Sequence, residues 1–303
     1  MELLYFLEDL RIPVINEIML GITYLGDEIA FLAIALILFW CIDKRQGYFI
    51  LSVGFVGTLL NQFLKLWFRI PRPWVKDPSF TILEQAREGA GGYSFPSGHT
   101  QSSVGTFGGI AYSTKHRIIR IVAIIIAVLV PFSRMYIGVH TPLDVAVSVL
   151  IALALIFILY PLIYKYENKA MPVLIAMMSA ASAAYLCFVE FYHFPEDVDQ
   201  QNLASGIKNA YTLTGALFGL IIVYIVEKKW INFPTKAVWW AQILKVFIGL
   251  AIVLAIKCGL STPLTALFGE KLGRAVRYCI IVLVAGAVWP LSFRWFAKLG
   301  NKE

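Results

Sequence analysis

Apolar residues along this chain gather in long unbroken runs, each close to the ~20 residues that a helix needs to cross a hydrocarbon core, and polar residues are left to the gaps between them. The runs predict nine membrane-spanning helices, at 26–42, 48–66, 97–114, 118–133, 143–164, 171–191, 208–226, 243–261 and 275–296. A transmembrane barrel would instead need short segments of alternating polarity, which the sequence lacks. The first 25 residues mix Glu2, Glu8, Asp9, Arg11 and Glu17 with apolar positions, so they predict an interfacial segment rather than a tenth span. They also lack the basic start, clean apolar centre and small-residue cleavage site of a signal peptide. The expected fold is therefore all-α, a polytopic helical membrane protein of about nine transmembrane helices. Its expected divisions are an interfacial segment over 1–25, a core over 26–166 that holds every chemical motif, and an additional four-helix region over 167–303.

Composition strengthens this picture. With 59% hydrophobic and 15% charged residues, and a mean hydropathy of +0.74, the chain of 303 residues has too little polar surface to cover a water-soluble globule. Its net charge of +7 is unevenly spread. The gaps at 43–45, 114–120, 165–169 and 227–236 and the tail from Arg294 carry thirteen Lys and Arg against four acids, and fall on one face of the predicted bundle. Basic residues are retained in the cytoplasm, so that face is expected to be cytoplasmic. The charge is a topology signal, and no nucleic-acid patch is expected. Trp40, Trp230, Trp239, Trp240 and Trp295 predict an aromatic belt at the inner boundary and Trp67 one at the outer. The four cysteines lie in or beside apolar runs without CxxC spacing, which predicts packing roles.

Three gaps that share the opposite face carry unusual residues. In KLWFRIPRP, Lys65 and Arg72 are two helical turns apart, but Pro71 and Pro73 predict that Arg72 sits on an extended segment folding back over the helix end. As flanking charges these cations need no explanation, yet they stand on the face where basic residues should be scarce. In YSFPSGHT, Pro96 interrupts any helix, Ser97 is a candidate N-cap, and Gly98 permits close approach to a helix start whose free N–H groups suit an anion. His99 lies on that first turn. A plain cap with an incidental histidine is the competing reading. In SRMYIGVHTPLD, Thr141, Pro142 and Asp144 read as a capping box with proline at the first helical position, and the same geometry leaves the Asp144 carboxylate within reach of His140.

Together these residues predict a reaction. Lys65, Arg72 and Arg134 with backbone donors suit a phosphoryl group, a histidine backed by a carboxylate suits attack at phosphorus, and a second histidine suits protonation of the departing alkoxide. No further carboxylate or His/Cys cluster is left for a metal, so none is expected, and no cofactor.

At these positions the sequence resembles the type 2 phosphatidic acid phosphatase family, the lipid phosphate phosphatases. The family signature is K-x6-RP, then PSGH, then SR-x5-H-x3-D. The chain matches it with Lys65 to Arg72-Pro73, Pro96 to His99, and Ser133-Arg134 to His140 to Asp144. The resemblance, which covers roughly 45–165, implies His140 as nucleophile, Asp144 as its orienting partner and His99 as general acid. It implies phosphate binding by Lys65, Arg72, Ser97, Gly98 and Arg134, without a metal. The four helices after residue 170 depart from many bacterial members. The nine-span layout looks more like the glucose-6-phosphatase and sphingoid-base phosphatase branches, and LTGALFGL (213–220) loosely resembles the former.

The implied activity is hydrolysis of a terminal phosphate from an amphiphilic lipid in the outer leaflet: phosphatidic acid, phosphatidylglycerol phosphate, a polyprenyl diphosphate or a sphingoid phosphate. A soluble sugar phosphate is the alternative substrate, and a non-catalytic binder or transporter of anionic lipid is the alternative outside the enzymes. The expected location is a bacterial plasma membrane, the end AKLGNKE having no retention-type tail, with the site on the non-cytoplasmic face. The sequence leaves oligomeric state open.

Overall fold

The computed structural model describes residues 1–87 and 89–299, with side chains over 167–169 left aside. Glu88 and residues 300–303, which include Lys302 and Glu303 of the basic tail and most of its last residues, lie outside the described residues. No strand occurs among the described residues. Among the described residues fourteen α-helices follow in order: α1 (Glu2–Asp9), α2 (Pro13–Thr23), α3 (Glu28–Ile37), α4 (Lys44–Phe68), α5 (Pro73–Lys76), α6 (Gly98–Ser103), α7 (Gly109–Ser113), α8 (Arg117–Tyr136), α9 (Pro142–Tyr164), α10 (Glu167–Phe191), α11 (Gln200–Val226), α12 (Trp239–Gly259), α13 (Ser261–Leu283) and α14 (Phe293–Lys298).

Among the described residues, seven helical stretches are long and apolar enough to cross a membrane, and eight if a bent pair counts as one span. The all-α, multi-pass expectation holds, but nine such spans are not reached. The physical reason is local. The expected span at 97–114 is a shorter continuous helix, α6 running into α7 through a π turn over Val104–Gly108, and glycine and hydroxyl residues dilute its apolar run. The expected span at 26–42 is only one arm of a pair, Pro13–Gly26 and Glu28–Ile42, bent by 55°.

The chain divides into two compact units. The first comprises Met1–Ala35, Phe49–Glu167 and His193–Gly206. Here α8 packs against α2, α6 and α7, and α6 packs against α9. The N-terminal segment contributes to this core through buried Leu4, Leu7 and Leu20. Arg11 Nε donates to the Tyr136 carbonyl at 3.0 Å.

The second unit comprises Leu36–Tyr48, Asn168–Tyr192 and Ile207–Glu303. Its core is aromatic, built on Phe39, Trp40, Phe233 and Phe293. Trp40, expected in the interfacial belt, is instead fully buried, its indole N–H donating to Ala285 O at 2.8 Å; burial follows from having that partner. Trp230, Trp239, Trp240, Trp295 and Trp67 are exposed, as a belt requires. Cys187 and Cys258 are exposed rather than packed. The stretch LTGALFGL has a packing explanation. Gly215 and Gly219, four apart on α11, lie so close to Ala275 and Cys279 of α13 that a Cβ at either would overlap backbone atoms there. This is the small-residue stripe by which membrane helices approach.

Candidate active site

Helix α4 stops at Phe68 because Arg69 turns left-handed, at φ 50°, and prolines follow at 71 and 73. Arg72 is extended, as the sequence predicts, and its guanidinium is spread across four acceptors. Nε donates to Gly92 O at 3.0 Å, Nη2 to Gly91 O at 2.8 Å, and Nη1 both to Val139 O at 2.9 Å and to His140 Nε2 at 2.8 Å. Lys65, one turn before the helix end, donates to Tyr93 O. The two cations thus pin the carbonyls of 91–93 and, with them, the approach to α6.

Ser97 caps α6 by accepting from Thr100 N at 3.4 Å, and its own N–H donates to Asp144 O at 3.3 Å, tying this helix start to that of α9. The capping box at α9 is present: Thr141 Oγ1 accepts from Asp144 N at 3.3 Å and Asp144 Oδ2 accepts from Thr141 N at 2.8 Å. Between α8 and α9 the chain reverses at Gly138, whose φ of 88° an L side chain rarely adopts, and the carbonyl of Arg134 receives the N–H groups of Val139 and His140. This brings His140, buried at 1% exposure, over Arg72.

The tautomer of His140 follows from its neighbours. A guanidinium has no lone pair to offer, so Nε2 must be the acceptor in its contact with Arg72, and the ring proton sits on Nδ1. Nδ1 lies 3.5 Å from Asp144 Oδ2, an aligned hydrogen bond being absent at that distance. The imidazole therefore presents a lone pair on Nε2 with a carboxylate behind it. Burial holds its pKa well below the ordinary histidine range, and the positive charges of Arg72, Arg134, Lys65 and His99 act in the same direction.

All eight sequence-predicted residues, Lys65, Arg72, Ser97, Gly98, His99, Arg134, His140 and Asp144, fall in the first unit. Arg72 and Arg134 both act electrostatically on His99 as well as on His140, and Lys65 is coupled to Arg72, Arg134 and Asp144. Arg134 is buried with Nε and Nη2 unpartnered, and a buried donor without an acceptor is costly unless an anion arrives. Three buried cations, of which Arg134 has open donors, and two imidazoles form a setting suited to a tetrahedral oxyanion.

Sequence reasoning missed three residues that touch this machinery. Ser94 Oγ donates to Asp144 Oδ2 at 2.6 Å. Thr23 Oγ1 accepts from Arg134 Nη1 at 2.6 Å. Asp27 Oδ1 lies 2.6 Å from His99 Nε2. Ser94 stands inside the quoted YSFPSGHT stretch, so its place beside the motif was the available signal. Thr23 and Asp27 belong to a part of the chain whose pattern reports only amphipathicity and a helix start.

A helical membrane protein with buried cations gathered around two histidines belongs to the class of membrane-embedded phosphate-handling proteins. Comparison with known proteins gives the family. The PAP2 superfamily model matches residues 45–168, and the model of the PAP2 superfamily phosphatase transmembrane extension matches residues 211–302. Phosphatidylglycerophosphatase B of Bacillus subtilis (strain 168) is 34% identical over 162 residues, covering 49% of this chain and 75% of that protein. Undecaprenyl-diphosphatase BcrC of the same organism is 31% identical over 153 residues, covering 48% of this chain and 74% of that one. A crystal structure of a PAP2-type phosphatidylglycerolphosphate phosphatase from Bacillus subtilis is 32% identical and covers 52% of this chain and 79% of that one, with a TM-score of 0.42. The chain belongs to the PAP2 superfamily and is a multi-pass membrane phosphatase, a phosphoric ester hydrolase.

Proposed function

We propose that this phosphatase removes the terminal phosphate from a membrane lipid, either a phosphatidylglycerol phosphate-like monoester or a polyprenyl diphosphate, through a phosphohistidine on His140 and without a metal. The catalytic core is residues 26–166, and the site opens on the non-cytoplasmic face of a bacterial plasma membrane. The names of the relatives, a phosphatidylglycerophosphatase and an undecaprenyl-diphosphatase, support a lipid phosphate. The distribution of basic residues supports the orientation.

In this scheme Arg72, Arg134 and Lys65, with the N–H groups at the start of α6, take the phosphate oxygens. The Nη1 of Arg72 leaves Nε2 of His140 for a phosphate oxygen, which frees the lone pair. Nε2 attacks phosphorus, the bond to the leaving oxygen breaks with its electron pair, and His99 supplies the proton which that oxygen takes up. Water then attacks the phosphohistidine, His99 takes its proton, and the P–N electron pair returns to Nε2. The Asp144 carboxylate, 3.5 Å from Nδ1, favours the imidazolium-like charge that develops in the attack. The positive charge that a metal would supply comes from the three cations.

The observation that carries this reading is the 2.8 Å contact between Arg72 Nη1 and His140 Nε2, since a guanidinium only donates, which supports the tautomer that an attacking imidazole needs. The test is phosphate release from detergent-solubilised phosphatidylglycerol phosphate, undecaprenyl diphosphate and glucose 6-phosphate, with His140→Ala as blank. Release from a lipid substrate that His140→Ala abolishes, together with an acid-labile phosphorylated protein trapped at short times, is expected. A marked preference for the sugar phosphate overturns the lipid reading, and turnover by His140→Ala overturns the mechanism.

A further inference from the structure

His99 is held by a residue outside the three motifs and outside the matched region of the chain. Asp27 sits at the break between the turn Tyr24–Gly26 and α3, in extended conformation, with Oδ1 at 2.6 Å from His99 Nε2. The contact is built into the fold. Gly26, the preceding residue, lies so close to the His99 carbonyl and to Val130 that a Cβ there would come within 2.9 Å of the former and 2.8 Å of the latter. Three residues earlier, Thr23 accepts from Arg134. The bend of 55° between the two helical arms therefore coincides with the point at which this segment meets the site.

We propose that Asp27 is the positioning residue for the general acid of this phosphatase, the counterpart for His99 of what Asp144 is for His140. The proposal rests on the reading of His99 given above. A carboxylate accepts the Nε2 proton of His99, so Nδ1 is the ring atom left to serve the substrate. In the first step Nδ1–H passes its proton to the departing oxygen, and the P–O electron pair goes with that oxygen. The ring is then neutral with its proton on Nε2, held by Asp27. In the second step Nδ1 takes a proton from water as the P–N bond breaks, and the imidazolium is restored. The charged groups that act on His99 are Asp27 on one side and Arg134 and Arg72 on the other. Burial and the two guanidinium groups disfavour the imidazolium, and the carboxylate is the one influence that opposes them.

The competing reading is that Asp27 merely caps α3, the residue before Glu28 being where a helix start prefers aspartate. Asparagine caps about as well but carries no charge. The experiment is therefore Asp27→Asn in the full-length protein, assayed for kcat/KM against pH on phosphatidylglycerol phosphate in micelles and on p-nitrophenyl phosphate, with Asp27→Glu alongside. Alkoxide departure needs a proton and nitrophenolate departure does not. The expected result is a loss of about tenfold or more on the lipid, in keeping with the range for general acid catalysis, with a much smaller loss on the aryl ester. The basic limb of the lipid profile should move to lower pH and return with Asp27→Glu. Equal loss on both substrates with no movement of that limb, or no loss at all, overturns the proposal. His140→Ala separates the two levels: if it abolishes turnover while Asp27→Asn behaves as the parent enzyme, only Asp27's role falls.

Discussion

At the scale of single residues, the site is built from paired interactions in which one member sets the state of the other. Burial and the basic neighbours Arg72, Arg134, Lys65 and His99 all oppose protonation of His140 and hold its pKa below the usual histidine range. The acid limb of kcat/KM, which reports the free enzyme, is thus expected below the usual histidine range, since a ring with a lowered pKa stays available to attack as pH falls. A pH profile from 4 to 9 on a fixed micellar substrate checks this, and an acid limb at or above ordinary histidine values contradicts it. Ser94 is the other residue whose effect is readable. Its hydroxyl is one of the donors that orient the Asp144 carboxylate, at 2.6 Å and in full burial. Ser94→Ala is expected to cut kcat about tenfold with little change in KM, because the lost bond fixes the carboxylate behind His140, the proposed nucleophile, rather than the substrate. A change confined to KM would remove Ser94 from that role.

At the scale of elements, helix ends carry the functional groups, and their caps hold them. The N-terminus of α9 illustrates this, since Asp144 belongs at once to a capping box and to the contact with His140. Thr141→Ala removes the acceptor for Asp144 N and is expected to cost about 1 kcal/mol of stability, the usual worth of an N-cap side chain. Thermal unfolding in detergent measures it, together with a modest loss of activity; an unchanged melting temperature would mean the helix start is fixed by packing alone. In the second unit the deciding feature is spacing. Leucine at Gly215 has no room against the α13 backbone, so Gly215→Leu is expected to lower the melting temperature clearly, by the 1–3 kcal/mol typical of overpacking, while Gly259→Ala, at a site open on all sides, leaves it unchanged.

At the scale of the whole molecule, two further outcomes test the reading of a metal-free, outward-facing enzyme. Orthovanadate, whose five-coordinate form resembles the transferring phosphoryl group, is expected to inhibit, and EDTA is expected to leave activity intact. Loss with EDTA that a divalent ion restores would contradict the scheme. For orientation, Ser79→Cys in a cysteine-free background is expected to react with a membrane-impermeant maleimide on whole cells, whereas Lys165→Cys reacts only after permeabilisation. What was readable without coordinates was whatever is local or periodic. The long apolar runs require helices because a backbone in hydrocarbon must satisfy its own hydrogen bonds. Proline at 71, 73, 96 and 142 and the Thr141/Asp144 pair mark helix ends through rules that act over a few residues. Spacing within the motifs likewise singled out His99, His140 and the cations as candidates. What only the tertiary structure decided is which remote groups meet. Nothing within four residues of Asp27 or Thr23 distinguishes them, the motif beside Ser94 does not say which group its hydroxyl meets, and Trp40 reads the same whether it faces lipid or the Ala285 carbonyl. The length of a span fell in the same class, since π turns and a bend depend on what packs alongside. Sequence patterns record how each helix treats its solvent, whereas contacts across 50 or more residues depend on how the chain closes on itself, and that closure alone sets the partners of each buried charge.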